Sequence, residues 1–180
     1  LSAAIRAAET GATVLVIEAG EKMGGSTALS GGVYYAAGTS VQRSRGIDGD
    51  TPDAMFEYYL TLNQYRVEPA LARILCDQSA PGLEWLISLG VTFDPDDLYS
   101  SGVESVPRGH KARENGAEIA ARLEGAASGH ENVDFAVHTR AEQLLIDATG
   151  RVVGVQAGGT EVTAHAVVIA SGGFAQNMEM

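Results

Sequence analysis

The first eighteen residues constrain the fold more strongly than any other part of the sequence. Their apolar side chains repeat at the spacing of one helical face, at Leu1, Ala4, Ile5 and Ala8. Gly11 then stands where helices commonly end in left-handed backbone. Residues 13–17, TVLVI, are a continuous aliphatic run, typical of a strand buried on both faces of a parallel sheet. With Glu18 directly after it, this order predicts the second half of a βαβ unit, whose first strand would precede residue 1.

A glycine-rich segment follows the predicted strand. Glycines and small hydroxyl residues are interleaved in it with apolar ones, at Gly24, Gly25, Ser26, Thr27, Ser30, Gly31 and Gly32. Glycine lets the backbone approach a ligand closely, and hydroxyl groups can donate to phosphate or polyol oxygens. A flexible surface loop is the alternative. The interleaved apolar residues favour a packed segment over that alternative.

Composition excludes several classes of function. The 180 residues are 45% apolar and carry a net charge of −11, which argues against a nucleic-acid partner. Cys76, the single cysteine, excludes a disulfide within the chain, and its apolar helical surroundings predict an inert buried thiol. No apolar run approaches the ~18 residues of a membrane span. We therefore expect a globular protein with a small-molecule partner and a cytoplasmic location, with the reservation that a signal before Leu1 stays open.

The middle of the chain is predicted to be helical. Thr51-Pro52 and Glu68-Pro69 each supply an N-cap followed by proline, and the second helix is expected to reach about Ser79. Pro81 is expected to open a separate helix that ends at Gly90. Residues 92–113 are rich in Asp, Ser, Gly and Pro and are predicted to be a loop. A last helix is expected to begin after Asn115-Gly116 and to end near Gly129.

The last fifty residues favour strands. Residues 133–139 alternate, and a hairpin is predicted around Thr149-Gly150 with a second turn at Gly158-Gly159. AVVIA, residues 166–170, is expected to be another buried core strand, ending in Ser171-Gly172-Gly173. Ligands collect outside the carboxyl ends of strands in doubly wound sheets. We therefore expect Glu18 and Ser171 to share one edge of one sheet.

Individual side chains are harder to assign from the sequence. Glu18 has the position of a carboxylate that accepts from the ribose of a dinucleotide, and a solvated strand-end glutamate is the alternative. The histidines are His110, His130, His138 and His165, and no pair has metal-ligand spacing, so no metal site is predicted. His110 is the one histidine considered near a cofactor or substrate. A solvated basic loop is the favoured interpretation of its surroundings.

Taken in order, several segments resemble a family of FAD-dependent oxidoreductases. The family includes the flavoproteins of fumarate reductase and succinate dehydrogenase and the 3-ketosteroid dehydrogenases. The resembling segments are LSAAIRAAETGATVLVIEAGEKMGGSTALSGG, LEWLISLGVTF, PRGHKARENGAEIAARL, HTRAEQLLIDATGRVVGVQA and AVVIASGGFAQN. The resemblance implies a Rossmann-like α/β FAD-binding domain of the glutathione reductase type over residues 1–180. Helices would be inserted at about 51–128 and a β-meander at about 133–165.

Family members normally begin with a strand and a G-x-G-x-x-G motif just before a segment like LSAAI. We therefore expect a domain truncated at both ends, with the capping domain absent. The resemblance also implies contacts to FAD. Glu18 would bind the adenosine ribose, and Ala19 is a further cofactor-binding residue. The backbone around Ala141 would contact the adenine, and Ala170, Ser171 and Gly172 would pass close to the dinucleotide. Gly24, Gly25, Ser26 and Thr27 would line the pyrophosphate and ribityl chain, and Ser30, Gly31 and Gly32 would lie near the isoalloxazine.

The chemistry implied is hydride transfer between FAD and a carbon–carbon bond next to a carbonyl or carboxylate. Family members with covalent flavin carry a histidine near the position of Ser26, so FAD is expected to be non-covalent here. The substrate would be a steroid or an unsaturated carboxylic acid, and the electron partner is left open. Catalytic residues are expected beyond residue 180 and are not assigned. Two alternatives stay open at this point: a flavoprotein with amine oxidase-like or hydroxylase-like chemistry, and a remnant without catalysis.

Overall fold

The computed structural model describes residues 1–173, and the chain divides into two compact units. The first unit combines Leu1–Ser26 with the described residues from Leu123 onward. The second unit is Thr27–Arg122. Residues 174–177, the FAQN of the last resembling segment, lie outside the described part of the chain.

The first unit begins with the predicted helix and strand. Helix α1 spans Ser2–Glu9 and buries Ala4, Ile5 and Ala8, so the predicted helical face is confirmed. Gly11 has φ +85°, and its N–H donates to the Ala8 carbonyl at 2.9 Å, which closes the helix as expected. Strand β1 then spans Val14–Ile17.

Strand β1 pairs with a strand more than a hundred residues away. It runs parallel to β4, Val133–Ala136, with Val14 opposite Val133. The predicted parallel pairing is therefore present. The prediction that β1 is buried on both faces is wrong, because Leu15 is 43% exposed. Among the described residues β1 has β4 as its one neighbour, so part of its apolar surface is left uncovered.

A three-stranded antiparallel sheet follows β4 in the first unit. It contains β5 (Ala141–Ile146), β6 (Val152–Ala157) and β7 (Thr160–Thr163), in that order. The two predicted turns are confirmed. Gly150, Gly158 and Gly159 all have positive φ there, which glycine adopts at little steric cost.

The predicted core strand at 166–170 is wrong. These residues form no strand, and Val168 and Ile169 are 71% and 70% exposed. The sequence has the aliphatic character of a buried strand. A strand also needs a neighbour for its ladder hydrogen bonds, and none of the strands in the described residues pairs with this segment.

The second unit contains most of the helices. The boundaries with the first unit fall inside two helices, α2 (Gly25–Leu29) and α6 (Asn115–Ser128). Between them lie β2 (Val33–Tyr35), α3 (Ser40–Ser44), α4 (Pro52–Leu62), α5 (Pro69–Ser88), a 3-10 helix (Pro95–Asp97) and β3 (Gly109–Lys111). Strands β2 and β3 pair antiparallel, with Tyr34 opposite His110. The predicted loop at 92–113 therefore contains a strand and a helical turn. Strands β2 and β3 have three residues each, which is too short for an alternating pattern to reveal a strand in the sequence.

Helix α5 corrects the predicted break at Pro81. The Thr51 and Glu68 caps are present, accepting from the Ala54 and Ala70 N–H groups. However, one continuous helix of 20 residues runs through Pro81. A proline within a helix costs about 3 kcal/mol. The buried residues continue on both sides of it, at Cys76, Ser79, Leu83 and Leu86, so burial of one shared face offsets that cost.

The α4–α5 pair forms a small core in the second unit. Ala37, Met55 and Cys76 are fully buried, with Tyr35, Phe56 and Tyr59 packed against them. The predicted burial of the cysteine is thus confirmed, and burial raises the pKa of the Cys76 thiol. No helix within the described residues is long and apolar enough to cross a membrane.

Candidate functional site

Glu18 lies at the carboxyl end of β1, in a connection that is fixed by backbone hydrogen bonds. Its N–H donates to the Ala136 carbonyl and its carbonyl accepts from Thr139 N–H, both at 2.9 Å. Its side-chain Oε1 accepts from Gly20 N–H at 2.6 Å. Oε2 accepts no hydrogen bond from the described part of the chain. The hydrogen bond from Gly20 to Oε1 therefore orients the carboxylate, and Oε2 can still accept a hydrogen bond.

The loop after Glu18 turns through two glycines in left-handed backbone. Gly24 has φ +106° and Gly25 has φ +45°. A Cβ placed on Gly25 would meet nothing within 4 Å, so its small size is not required by packing inside the described chain. Ala19 and Ser26 are exposed. Gly25 also opens α2, and the first N–H groups of a helix have no partner within that helix.

The next predicted residues belong to the second unit, where local hydrogen bonds hold Ser30 and close contacts surround Gly32. Ser30 Oγ donates to the Thr27 carbonyl at 2.8 Å and accepts from Gly32 N–H at 3.2 Å. Gly32 is buried, with φ +67°, and a Cβ there would lie 2.2 Å from the Asn115 carbonyl carbon. Gly31 differs, because a Cβ there would meet nothing within 4 Å. The expectation that this segment is packed is only partly met, because Gly32 is buried whereas Leu29 is 90% exposed. Gly31 is an open position.

The remaining predicted positions lie in the first unit and are exposed. Ala141 begins β5 opposite Ala157. Ala170, Ser171 and Gly172 follow the segment that forms no strand. The expected shared sheet edge of Glu18 and Ser171 is therefore not formed by the described strands, because only Glu18 follows one.

The prediction of a solvated loop around His110 is wrong. His110 lies in β3 and is 1% exposed. Its Nδ1 lies 2.8 Å from the Arg108 carbonyl and 3.2 Å from the Tyr34 carbonyl, while Nε2 lies 2.8 Å from Thr39 Oγ1. Because carbonyls only accept, Nδ1 carries the proton and Nε2 accepts from the threonine. Burial lowers the pKa of this imidazole.

A buried charge pair next to His110 was missed by sequence reasoning. Arg108 Nε and Nη2 donate to the two oxygens of Asp50 at 2.9 and 2.6 Å, and the two side chains are 6% and 1% exposed. Gln42 Nε2 donates to Asp50 Oδ2 at 2.8 Å and to the Pro107 carbonyl at 2.9 Å. The partners are 58 residues apart, and no local pattern connects them.

A second buried carboxylate in the same unit was also missed. Glu104 accepts from the hydroxyls of Tyr35 and Tyr58 at 3.3 and 2.8 Å, and from Ser101 N–H at 2.6 Å. Burial by itself would raise the pKa of Glu104, and these hydrogen bonds together hold it below its usual value. A buried carboxylate whose oxygens accept several hydrogen bonds is typical of a structural group. No group of three or more metal-ligating side chains occurs in the described residues.

A family model described as an FAD binding domain matches residues 1–180, the whole chain. The chain belongs to this FAD-binding family. Curated relatives agree with the match. The chain is 33% identical over 190 residues to urocanate reductase from Eggerthella lenta, covering 99% of this chain and 30% of that protein. It is 34% identical over 186 residues to a cytochrome-type fumarate reductase from Shewanella frigidimarina, covering 99% of this chain and 32% of that protein.

A solved structure with the same fold is a 3-ketosteroid-Δ4-(5α)-dehydrogenase from Rhodococcus jostii, crystallised with 4-androstene-3,17-dione. The TM-score is 0.80 at 30% identity, over 89% of this chain and 40% of that one. The predicted family, the α/β FAD-binding fold class and FAD as cofactor are thereby confirmed. The chain spans about a third of the length of the curated relatives it matches.

Proposed function

We propose that this chain holds FAD in an oxidoreductase that transfers hydride between the flavin and a carbon–carbon bond next to a carbonyl or carboxylate. The observation that carries the proposal is the family match over all 180 residues. The named relatives support the reaction class, since two of them are a urocanate reductase and a fumarate reductase. The bound FAD would supply the two-electron chemistry, and the protein would supply position and electrostatics.

The first unit would bind the adenosine end of FAD. Glu18 would accept from the ribose hydroxyls through Oε2, the oxygen that Gly20 N–H leaves available. Ala19 would contribute to the ribose site, and Ala141 would contact the adenine. Ala170, Ser171 and Gly172 would pass close to the dinucleotide. Their exposure leaves their backbone groups accessible to a ligand.

Backbone rather than charge would hold the pyrophosphate. Gly24, Gly25, Ser26 and Thr27 include no cationic side chain. The positive φ of both glycines and the N–H groups that open α2 suit an anion bound by main-chain donors. The open space beside Gly25 fits a ligand that approaches the backbone closely.

Ser30, Gly31 and Gly32 would lie near the isoalloxazine. Gly31 has open space beside it, while Ser30 and Gly32 are engaged in local packing. We propose that FAD is bound without a covalent link, because the first histidine of the sequence is His110, far from Ser26. A cytoplasmic location and the helical insertion and meander boundaries stay predictions.

The substrate would be a steroid or an unsaturated carboxylic acid. No catalytic residue is assigned. Reduced viologen oxidation with fumarate, urocanate and an enone steroid would assign the substrate class. A protein that binds FAD but turns over none of these would favour another flavin chemistry.

The cofactor site can be tested with Glu18→Ala in the protein as its gene encodes it. Losing a hydrogen bond to a charged group costs about 1.5–3 kcal/mol, so FAD should bind roughly 10- to 100-fold more weakly in a titration of flavin fluorescence. Glu21→Ala is the matched control, an exposed carboxylate of the same loop that should bind FAD normally. Equal affinities of the two variants would contradict the role of Glu18. Absence of visible flavin absorbance in the unmodified protein, even with added FAD, would contradict the proposed function itself.

A further inference from the structure

A close backbone contact holds the segment that we propose near the flavin. Gly116 is buried in the first turn of α6, and its N–H donates to the Ser30 carbonyl at 3.0 Å. A Cβ on Gly116 would lie 1.8 Å from the Thr27 carbonyl oxygen and 2.4 Å from Ser30 Oγ. Real Cβ atoms essentially never approach other atoms closer than 3.0 Å. Only glycine therefore fits at position 116 without moving residues 27–30.

The other end of the same segment is held against the same turn. Gly32 would place a Cβ 2.4 Å from Gly116 N and 2.2 Å from the Asn115 carbonyl carbon. The Gly32 carbonyl accepts from Ala112 N–H at 2.9 Å. Asn115 has φ +59°, a left-handed conformation that asparagine tolerates better than most residues. Residues 27–32 and 112–116 thus form one interlocked pair of turns, which we call the 30/116 contact.

The Ser30 hydroxyl stabilises the turn formed by residues 27–32, which is one half of the 30/116 contact. It donates its one proton to the Thr27 carbonyl and accepts from Gly32 N–H. The hydroxyl therefore has no further proton to donate to a ligand while this turn persists. Its structural use is to fix the segment so that Gly31, the open position, is presented in one conformation.

We propose that Gly116 is a positioning residue for the flavin: through the 30/116 contact it sets where residues 27–32 meet the isoalloxazine. The inference rests on the proposed function. Adding a methyl group at 116 meets a carbonyl oxygen of the backbone, which no change of side-chain rotamer can relieve. The segment must shift, and inserting an extra methyl group into a packed contact costs on the order of 10- to 100-fold in an equilibrium constant. The residues proposed for the adenosine end all lie in the first unit, outside this contact.

The test compares Gly116→Ala with Gly125→Ala in the gene-encoded protein. Gly125 lies in the same helix, and a Cβ there meets nothing within 4 Å. For Gly116→Ala we expect FAD affinity to fall by about 10- to 100-fold, with an altered visible flavin spectrum and a shifted reduction potential. ADP, which has the adenosine and pyrophosphate but no isoalloxazine, should lose much less affinity than FAD, because Thr27 is the single residue of the proposed pyrophosphate site that lies in the 30/116 contact. Gly125→Ala should match the unmodified protein in all of these measurements.

Unchanged FAD affinity, spectrum and potential in Gly116→Ala would overturn the inference while leaving the proposed function intact. Equal losses of FAD and ADP binding would also overturn it, because they would indicate general damage. Failure of the unmodified protein to bind either nucleotide would instead contradict the proposed function. If Gly116→Ala does not fold, Ser30→Ala loosens the same contact without a clash. That variant should shift the flavin spectrum and keep ADP affinity, and an unshifted spectrum would overturn the inference.

Discussion

Replacing Asp50 by alanine should destabilise the second unit more than any replacement of a surface carboxylate. The Asp50 side chain is 1% exposed and accepts three hydrogen bonds from Arg108 and one from Gln42. In Asp50→Ala the guanidinium would stay buried without a counter-charge. Of its two hydrogen bonds, Gln42 Nε2 would keep only the one to the Pro107 carbonyl. Removing one partner of a buried pair costs about 3–5 kcal/mol, which corresponds to a change of more than 100-fold in a local opening equilibrium.

Hydrogen exchange provides a local assay for this loss. The Ala36 N–H donates to the Arg108 carbonyl at 3.1 Å, and the Gly38 N–H donates to Gln42 Oε1 at 2.7 Å. Amides in a peptide spanning residues 36–42 should therefore exchange much faster in Asp50→Ala, as read by mass spectrometry of the gene-encoded protein. Peptides of the first unit should keep their rates, because this pair lies within the second unit.

Asp53→Ala is the matched control for Asp50→Ala. Asp53 pairs with Arg73 at 2.8 Å, but its side chain is 89% exposed. Exposed pairs contribute about 0–1 kcal/mol, so exchange in residues 36–42 should hardly change. Similar exchange rates in the two variants would refute the reasoning, because they would mean that water already solvates the Asp50–Arg108 pair.

Three further predictions concern other parts of the chain. The folded protein should lose stability as the pH falls below about 6.5, because His110 is then protonated in the unfolded chain, whereas burial lowers its pKa in the folded protein. The free energy of urea unfolding should therefore depend less on pH in His110→Gln than in the unmodified protein. The same pH dependence in both proteins would contradict this prediction. Gly154→Ala should separate β6 from β7, because the added Cβ would lie 2.2 Å from the Val162 carbonyl oxygen. Amide hydrogen exchange in residues 154–163 should become faster, whereas Gly49→Ala, where a Cβ meets nothing within 4 Å, should leave exchange unchanged. Unchanged amide exchange in Gly154→Ala would argue against the pairing. The 180-residue chain alone should aggregate and bind little FAD, because β1 has one strand neighbour among the described residues and Val168 and Ile169 are exposed. Cooperative thermal unfolding together with stoichiometric bound flavin would disprove this prediction.

The sequence alone predicted the local elements whose causes lie within a few residues. The α1 face, the Gly11 stop, the Thr51 and Glu68 caps and the two turns near Gly150 and Gly158 all depend on neighbouring residues. Each of these features satisfies backbone groups within one or two turns of chain. The ordered resemblance of whole segments then predicted the family, which the match over residues 1–180 confirmed.

Elements that depend on distant partners could not be predicted in this way. The apolar segment at 166–170 has the character of a strand, but no strand in the described chain pairs with it. Pro81 is normally a helix breaker, yet the buried face shared by Cys76 and Leu83 carries α5 through it. Local sequence gives the preference in both cases, and packing decides whether that preference prevails.

The candidate site divides in the same way. The carboxylate Glu18 and the glycines at 24 and 25 could be proposed as cofactor-binding residues from the sequence, because a strand end followed by small residues is a local pattern. The burial of His110, the Asp50–Arg108 pair and the 30/116 contact were decided by tertiary structure alone. They join residues that are 58 to 89 positions apart, or they involve short strands. Charge and size become constraints at these positions only once the fold has excluded water and space around them.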